Sequence, residues 1–210
     1  MNRKRLSYIL TVLGLLLIAG ALLLCMRNWS ESVQAGREAG TVTEVLTEMI
    51  SVSGKNLYDD EGQNSEREND NSTTVLEMQA TEVNGNRYIG VLEFPSESVC
   101  LPVMSEWNYD NLRISPCMYT GSFYMDDAVI CGHNYITHFG FLLRIGIGTD
   151  VYFTAINGEI FHYVVSNRET VKAGDIDSMI DSSADWDLTL FTCDLDGRTR
   201  CAVRCVRVNN

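Results

Sequence analysis

No Cys-x-x-Cys pair occurs in this chain although it holds seven cysteines, which argues against a zinc ribbon or a thioredoxin-type redox pair. Prolines and histidines number only three each, so any His-dependent chemistry has few candidates. No basic stripe is present for a nucleic acid to follow, and the formal net charge is −12. No internal repeat is found. What is present is hydrophobic content of 45% over 210 residues, enough for one globular domain of ordinary size with appendages.

Charge is also missing from Leu6 to Met26, directly after the basic residues Arg3, Lys4 and Arg5. As a helix that run is roughly 31 Å long, the thickness of a bilayer's hydrocarbon core. A cleavable signal peptide has a shorter apolar region and a small-x-small site just beyond it; the nearest such site, Val33-Gln34-Ala35, is too far downstream. A lipoprotein site at Cys25 is disfavoured by the bulky Leu24 before it. The expectation is an uncleaved anchor over residues 6–26. By the positive-inside rule residues 1–5 stay in the cytoplasm and the rest lies outside.

Residues 27–83 read as an acidic extracellular linker. Its stretch Tyr58 to Asn71 is almost wholly polar and cannot bury enough surface to offset its ordering entropy. Upstream, Val42, Val45, Leu46, Met49 and Ile50 recur at helical spacing, which predicts a short helix of marginal stability near the membrane. From residue 84 to 210 the pattern changes to short β-type runs at 88–93, 99–104, 128–132, 151–156, 159–165, 187–193 and 199–208. Asn157-Gly158 marks a hairpin between two of them. Two segments, 105–112 and 173–180, look helical. Seven or eight strands at this spacing predict a mostly β domain, a closed barrel or a sandwich.

Six cysteines lie outside the apolar run. Cys201 and Cys205 alternate with Val203 on one strand face, where a thiol behaves as a small hydrophobe. Cys193 stands elsewhere, at the end of an apolar run, followed by Asp196-Gly197 and then by Arg198, Arg200, Arg204 and Arg207. His162 lies mid-strand and reads as structural. His133 sits in Val-Ile-Cys-Gly-His-Asn-Tyr at the end of an apolar run, beside a glycine that permits close approach. His138 follows in a loop; a metal at His133 and His138 lacks a third ligand. On spacing alone, a packed thiol is commoner than a catalytic Cys–His pair.

A two-residue turn at Asp196-Gly197 sets the register of the last hairpin: Leu195 faces Arg198, Asp194 faces Thr199 and Cys193 faces Arg200. Thr189, Phe191, Cys193, Arg200 and Arg204 then share one face, and Leu188, Leu190, Cys201, Val203 and Cys205 the other. Arg204 is roughly 13 Å from the thiol, too far to act on it.

Thr189-Leu190-Phe191-Thr192-Cys193 resembles the Thr-Leu-x-Thr-Cys signature of sortases, the membrane-anchored cysteine transpeptidases of Gram-positive bacteria. Val129 to Tyr135 resembles the segment carrying their catalytic histidine, Arg200 to Arg204 the one carrying their essential arginine, and Tyr88 to Val103 their opening strands. The resemblance covers about residues 86–208 and is closer to the class A, D or E pattern than to class B. It implies a closed barrel of seven to eight strands with short helices. It further implies Cys193 as nucleophile, His133 as proton donor and acceptor, and Arg200 as hydrogen-bond donor to the reacting carbonyl. Phe191, Thr192 and Ala202, which flank these positions, are expected to contact substrate. No cofactor or metal is expected. The expected substrates are surface proteins or pilins bearing a Leu-Pro-x-Thr-Gly-like sorting signal, and the expected acceptor is an amine of peptidoglycan or of a pilin. Cys131 departs from the pattern, where a small residue such as Ala is expected, and opens the way to a disulfide. Two other readings use the same residues: a hydrolytic thiol peptidase, and a non-catalytic barrel in which Cys193 is a packed thiol.

Overall fold

A computed structural model describes residues 3–59, 78–181, 185–194 and 197–208. The chain divides into two compact units, Met1–Gln34 and Ala35–Asn210. Helix α1, Arg3–Asp59, is continuous. It is the one described helix long and apolar enough to cross a membrane, with a mean hydropathy of 2.8 in its most apolar window. Within the first unit its leucines, Leu13 and Leu16 among them, are exposed, as lipid-facing side chains are.

The second unit is built on strands β1 (Thr81–Val83), β2 (Asn86–Phe94), β3 (Val99–Met104), β4 (Cys117–Thr120), β5 (Ala128–Gly132), β6 (Asp150–Ala155), β7 (Ile160–Lys172), β8 (Leu188–Cys193) and β9 (Thr199–Arg207). Their order is β1-β2-β3-β4-β5-β8-β9-β7-β6, and pairing of β2 with β6 closes eight of them into a barrel. Closure removes the exposed edges that an open sheet would present. β1 is a short flap hairpinned onto β2 through Asn84 and Gly85, both at positive φ (53° and 78°), the backbone a two-residue turn matched to strand twist requires.

Between the strands lie two short helices, α2 (Tyr109–Ile114) and α3 (Ile176–Ile180). Asn108 caps α2 by accepting from the amides of Asp110 and Asn111, which accounts for its start four residues later than the sequence pattern predicts. The seven strands expected from alternation are present. β1 and β4, only three and four residues long, carry too little alternation to be seen.

Leu188, Leu190, Val203 and Cys205 fill the barrel interior with Leu92, Phe153 and Phe161. A second apolar cluster lies on the other face of β5, β8 and β9: Val129, Cys131, Phe191 and Ala202, joined by Tyr88, Met104 and Cys117. Val42 and Leu46 of α1 belong to this outer cluster. The expected short, marginal helix around residues 42–50 is therefore the packed part of a much longer one, stabilised by tertiary burial rather than by propensity. Of the polar stretch 58–71, residues 60–71 lie outside the described residues.

Candidate active site

β5 runs parallel to β8 in the register Ala128↔Leu188 through Gly132↔Thr192. One step further along each strand stand His133 and Cys193, on backbones spaced about 4.8 Å apart where the ladder ends. On the other side of β8, antiparallel β9 places Arg200 opposite Cys193. The register thus sets Cys193 opposite Arg200 and leaves His133 just past the end of the neighbouring strand, and all three residues are half-buried. The register of the β8–β9 hairpin is the expected one, with Cys193 opposite Arg200, although the bond that closes the turn ends on Gly197, one residue earlier than a two-residue Asp196-Gly197 turn requires. The Asp194 amide donates to the Thr199 carbonyl at 3.0 Å and the Gly197 amide to the Asp194 carbonyl at 2.9 Å; Leu195 and Asp196 lie outside the described residues.

Gly132 does permit a close approach, and the group that approaches is Phe139 of the same chain: a Cβ at Gly132 would lie 2.6 Å from the Phe139 ring. The Phe139 amide donates to the His133 carbonyl at 3.0 Å, and the His133 ring stacks on Tyr135 at 4.7 Å. His133 therefore sits on a short, closed loop. His138, five residues on, is no solvated loop residue: it is fully buried, and neither ring nitrogen has a partner in hydrogen-bond geometry. Burial, and then the charge on His133, holds its pKa down at about 4, while the carbonyls of Ala35 and Ile114 act weakly in the opposite direction. It is neutral at pH 7. His162 is the half-exposed strand residue expected, its Nε2 2.8 Å from Asp150 Oδ1 and its ring stacked on Tyr152.

All seven cysteines are free. Cys131 lies across β4–β5 from Cys117, and its thiol donates to the Cys117 carbonyl at 3.6 Å. Burial pushes the Cys131 thiol up to about 12, and nearby Cys193 adds to the shift. Burial also raises the thiols of Cys100, Cys117, Cys201 and Cys205. In each of the five the shift favours the protonated thiol, the poorer nucleophile.

The residues expected to contact substrate do not share one surface. Phe191 is on the Cys193 face, edge-on to Tyr119 at 5.3 Å, and Tyr119 packs on Trp107 at 5.3 Å. This aromatic wall was not anticipated, because β4 was not recognised and Trp107 lies in a segment expected to be helical. Thr192 is turned into the barrel at 1% exposure, and Ala202, on the outer face with Phe191, is fully covered by the outer cluster. Arg204 shares the Cys193 face but is sealed off. It donates to Glu169 at 2.8 Å, to Thr189 Oγ1 at 2.9 Å and to the Met179 carbonyl at 3.2 Å, and it lies over the Trp186 ring. Arg200 donates through Nη1 to the carbonyls of Gly197 and Thr199 at 3.2 and 3.1 Å. Among the described residues no three His, Cys, Asp or Glu side chains converge as a metal centre.

A closed eight-stranded barrel with a cysteine at the end of a strand defines the class of fold. The sortase domain model matches residues 92–208, and the chain belongs to the sortase family. No match was found among curated protein sequences. Among solved structures, sortase C from Clostridium perfringens SM101 aligns at 20% identity and a TM-score of 0.53 over 80% of this chain and 90% of that one. Sortase C1 from Streptococcus suis aligns at 23% and 0.51 over 59% and 74%, and Listeria monocytogenes sortase A at 24% and 0.52 over 58% and 88%. At these identities the likeness is one of fold. It spans more than one class, including class C, which the sequence pattern did not bring forward.

Proposed function

We propose that the protein is a cysteine transpeptidase that joins a sorting-signal acyl group to an amine. The Cys193 thiolate attacks the carbonyl between Thr and Gly of a Leu-Pro-x-Thr-Gly-like signal. The C–N bond breaks, His133 gives a proton to the leaving amine, and a thioester remains on Cys193. An acceptor amine attacks the thioester, His133 takes its proton, and a new amide leaves as the thiolate is restored. Arg200 would donate to the reacting oxygen, where a preorganised donor contributes a few kcal/mol to the barrier. To do so it must leave the two carbonyls it now holds, a tightening common when a substrate arrives.

The observation that supports this reading is the strand register, in which Cys193 pairs with Arg200 and His133 directly follows Gly132, the partner of Thr192. The substrates would be surface proteins or pilins, and the acceptor an amine of peptidoglycan or of a pilin. Residues 6–26 would span the membrane with residues 1–5 in the cytoplasm, residues 27–83 would form the extracellular connection, and residues 84–210 the extracellular catalytic barrel. A tether raises the effective concentration of membrane-held substrates.

The test is mass spectrometry of the full chain in detergent with a sorting-signal peptide, with and without an added amine. An acyl adduct on Cys193 that the amine converts to a new amide supports transfer. An adduct lost equally fast to water in both samples identifies a hydrolase. No adduct on Cys193 sinks both.

A further inference from the structure

The second unit includes a helical stretch that the proposed chemistry does not use. From Ala35 on, α1 buries Ala35, Ala39, Val42 and Leu46, spaced four, three and four residues apart on one helix face. Beside that stripe, Gly36 meets the loop that carries His133. A Cβ on Gly36 would lie 2.6 Å from Thr137 Cγ2 and 2.7 Å from Thr137 Cβ, so only a hydrogen fits. Gly40, one turn on, faces nothing within 4 Å. The glycine at 36 answers a contact and is not merely a loosened helix.

Thr137 lies between the two ends of the His133 loop. The Tyr135 carbonyl accepts from the amides of His138 at 3.0 Å and Gly140 at 2.9 Å. The His133 carbonyl accepts from Phe139, and Phe139 is pressed on Gly132. His138 is buried next to Thr137, with the Ala35 carbonyl among the groups around its ring. One side of the loop is thus fixed by the end of β5 and the other by α1. A rigid backing of this kind matters because displacement of a catalytic group by 1 Å can cost about a hundredfold in rate.

We propose that the start of the packed part of α1, at Ala35 and Gly36, is the buttress of the His133 loop, and that Gly36, against Thr137, is a positioning residue for acyl transfer. The proposal rests on the transpeptidase reading above. Gly36→Ala forces Thr137 outward by nearly 1 Å to regain ordinary contact, and the loop carries His133 with it. Cys193 and the residues of β8 expected to meet the substrate peptide are untouched, so the loss falls on kcat.

The experiment compares four variants of the full chain in detergent: Gly36→Ala, Gly40→Ala, Thr137→Gly and the Gly36→Ala/Thr137→Gly double. It reads kcat and KM for transfer and hydrogen exchange at the Phe139 amide. Gly36→Ala is expected to lower kcat by about tenfold to a hundredfold with KM nearly constant, and to speed exchange at Phe139. Gly40→Ala, which adds a methyl to the same helix in open space, keeps wild-type rates. In the double variant the added methyl has room, so its kcat equals that of Thr137→Gly alone instead of the product of the two losses. Gly36→Ala with wild-type kcat, or losses that simply multiply, overturns the proposal. A wild-type chain that forms no adduct on Cys193 defeats the transpeptidase reading instead, and the Phe139 exchange of Gly36→Ala then still decides whether the contact holds the loop.

Discussion

The two ends of the β8–β9 ladder carry the same kind of pair and use it differently. At one end Arg204 lies across from Thr189; at the other Arg200 lies across from Cys193. Arg204 is 1% exposed, and its guanidinium is taken up by Glu169, Thr189, backbone carbonyls of α3 and the face of Trp186. Arg200 is half-buried and is held by the carbonyls of Gly197, in the turn, and Thr199, at the start of β9, through one nitrogen. A saturated, dry guanidinium is a structural clamp, since moving it would strand a buried charge. One held by an exposed turn can be drawn to a substrate at small cost. Both positions put an arginine on the same face of β9 at or near a ladder end; water access and the number of partners separate them.

The largest expected effect isolates chemistry from structure. Cys193→Ala should abolish both cleavage and transfer while unfolding at the urea midpoint of the wild type, because the side chain sits at a strand end and not in either core. Residual turnover above a few per cent would place the nucleophile elsewhere. Arg204→Ala should do the reverse in kind, lowering the unfolding free energy by about 3 kcal/mol through loss of the clamp between α3 and the barrel. An unchanged midpoint in urea titration would erase the distinction between the two ends.

Arg200 should show a loss of activity without a loss of fold. Arg200→Ala and Arg200→Lys are each expected to reduce transfer by about a hundredfold to a thousandfold, the range for removing one oxyanion donor. Lysine fails because it lacks the planar fork. Arg198→Ala, beside the turn, should lose little. Full activity in Arg200→Lys would show that charge alone suffices at this end, and equal losses at Arg198 would move the assignment along the strand.

Much of this contrast was legible in the sequence, and the reason is the period of a strand. Because side chains alternate strictly, one Asp-Gly turn is enough to set Cys193 against Arg200 and to sort Leu188, Leu190, Cys201, Val203 and Cys205 into the interior. Burial on the outer face is not periodic information. Arg204 and Ala202 share parity with Cys193 yet are buried, and the partners that hold Arg204, among them Met179 and Glu169, lie 25 and 35 positions away. The same limit hid Tyr119 and Trp107, and it hid the packing of Ala35 to Leu46, whose partners are loops and strands far along the chain. Helical spacing did announce Val42 and Leu46, but Val45 and Met49 of the same expected face are exposed and the stripe runs back to Ala35 and Ala39; nothing local announced what it covers.

Cys131 tests the boundary between the two regimes, since it lies one alternation below the site and is already dry. Its thiol is pushed up to about 12 by burial, so the folded chain keeps its proton where the unfolded chain, with an ordinary thiol, has lost it. Below the ordinary thiol range both states are protonated and Cys131 adds no pH dependence. Above it the unfolded state gains by ionising, so the stability the protonated thiol represents is lost as pH rises toward 12. Between pH 9 and 10 the wild type should therefore lose about 1 kcal/mol more than Cys131→Ala, read as the difference in urea midpoints at the two pH values. At pH 7 the variant should cost about 1 kcal/mol for the missing sulfur and leave transfer within about twofold of wild type. A larger loss of activity would mean that Cys131 belongs to the open end of the ladder, with Cys193, and not to the packed layer beneath it.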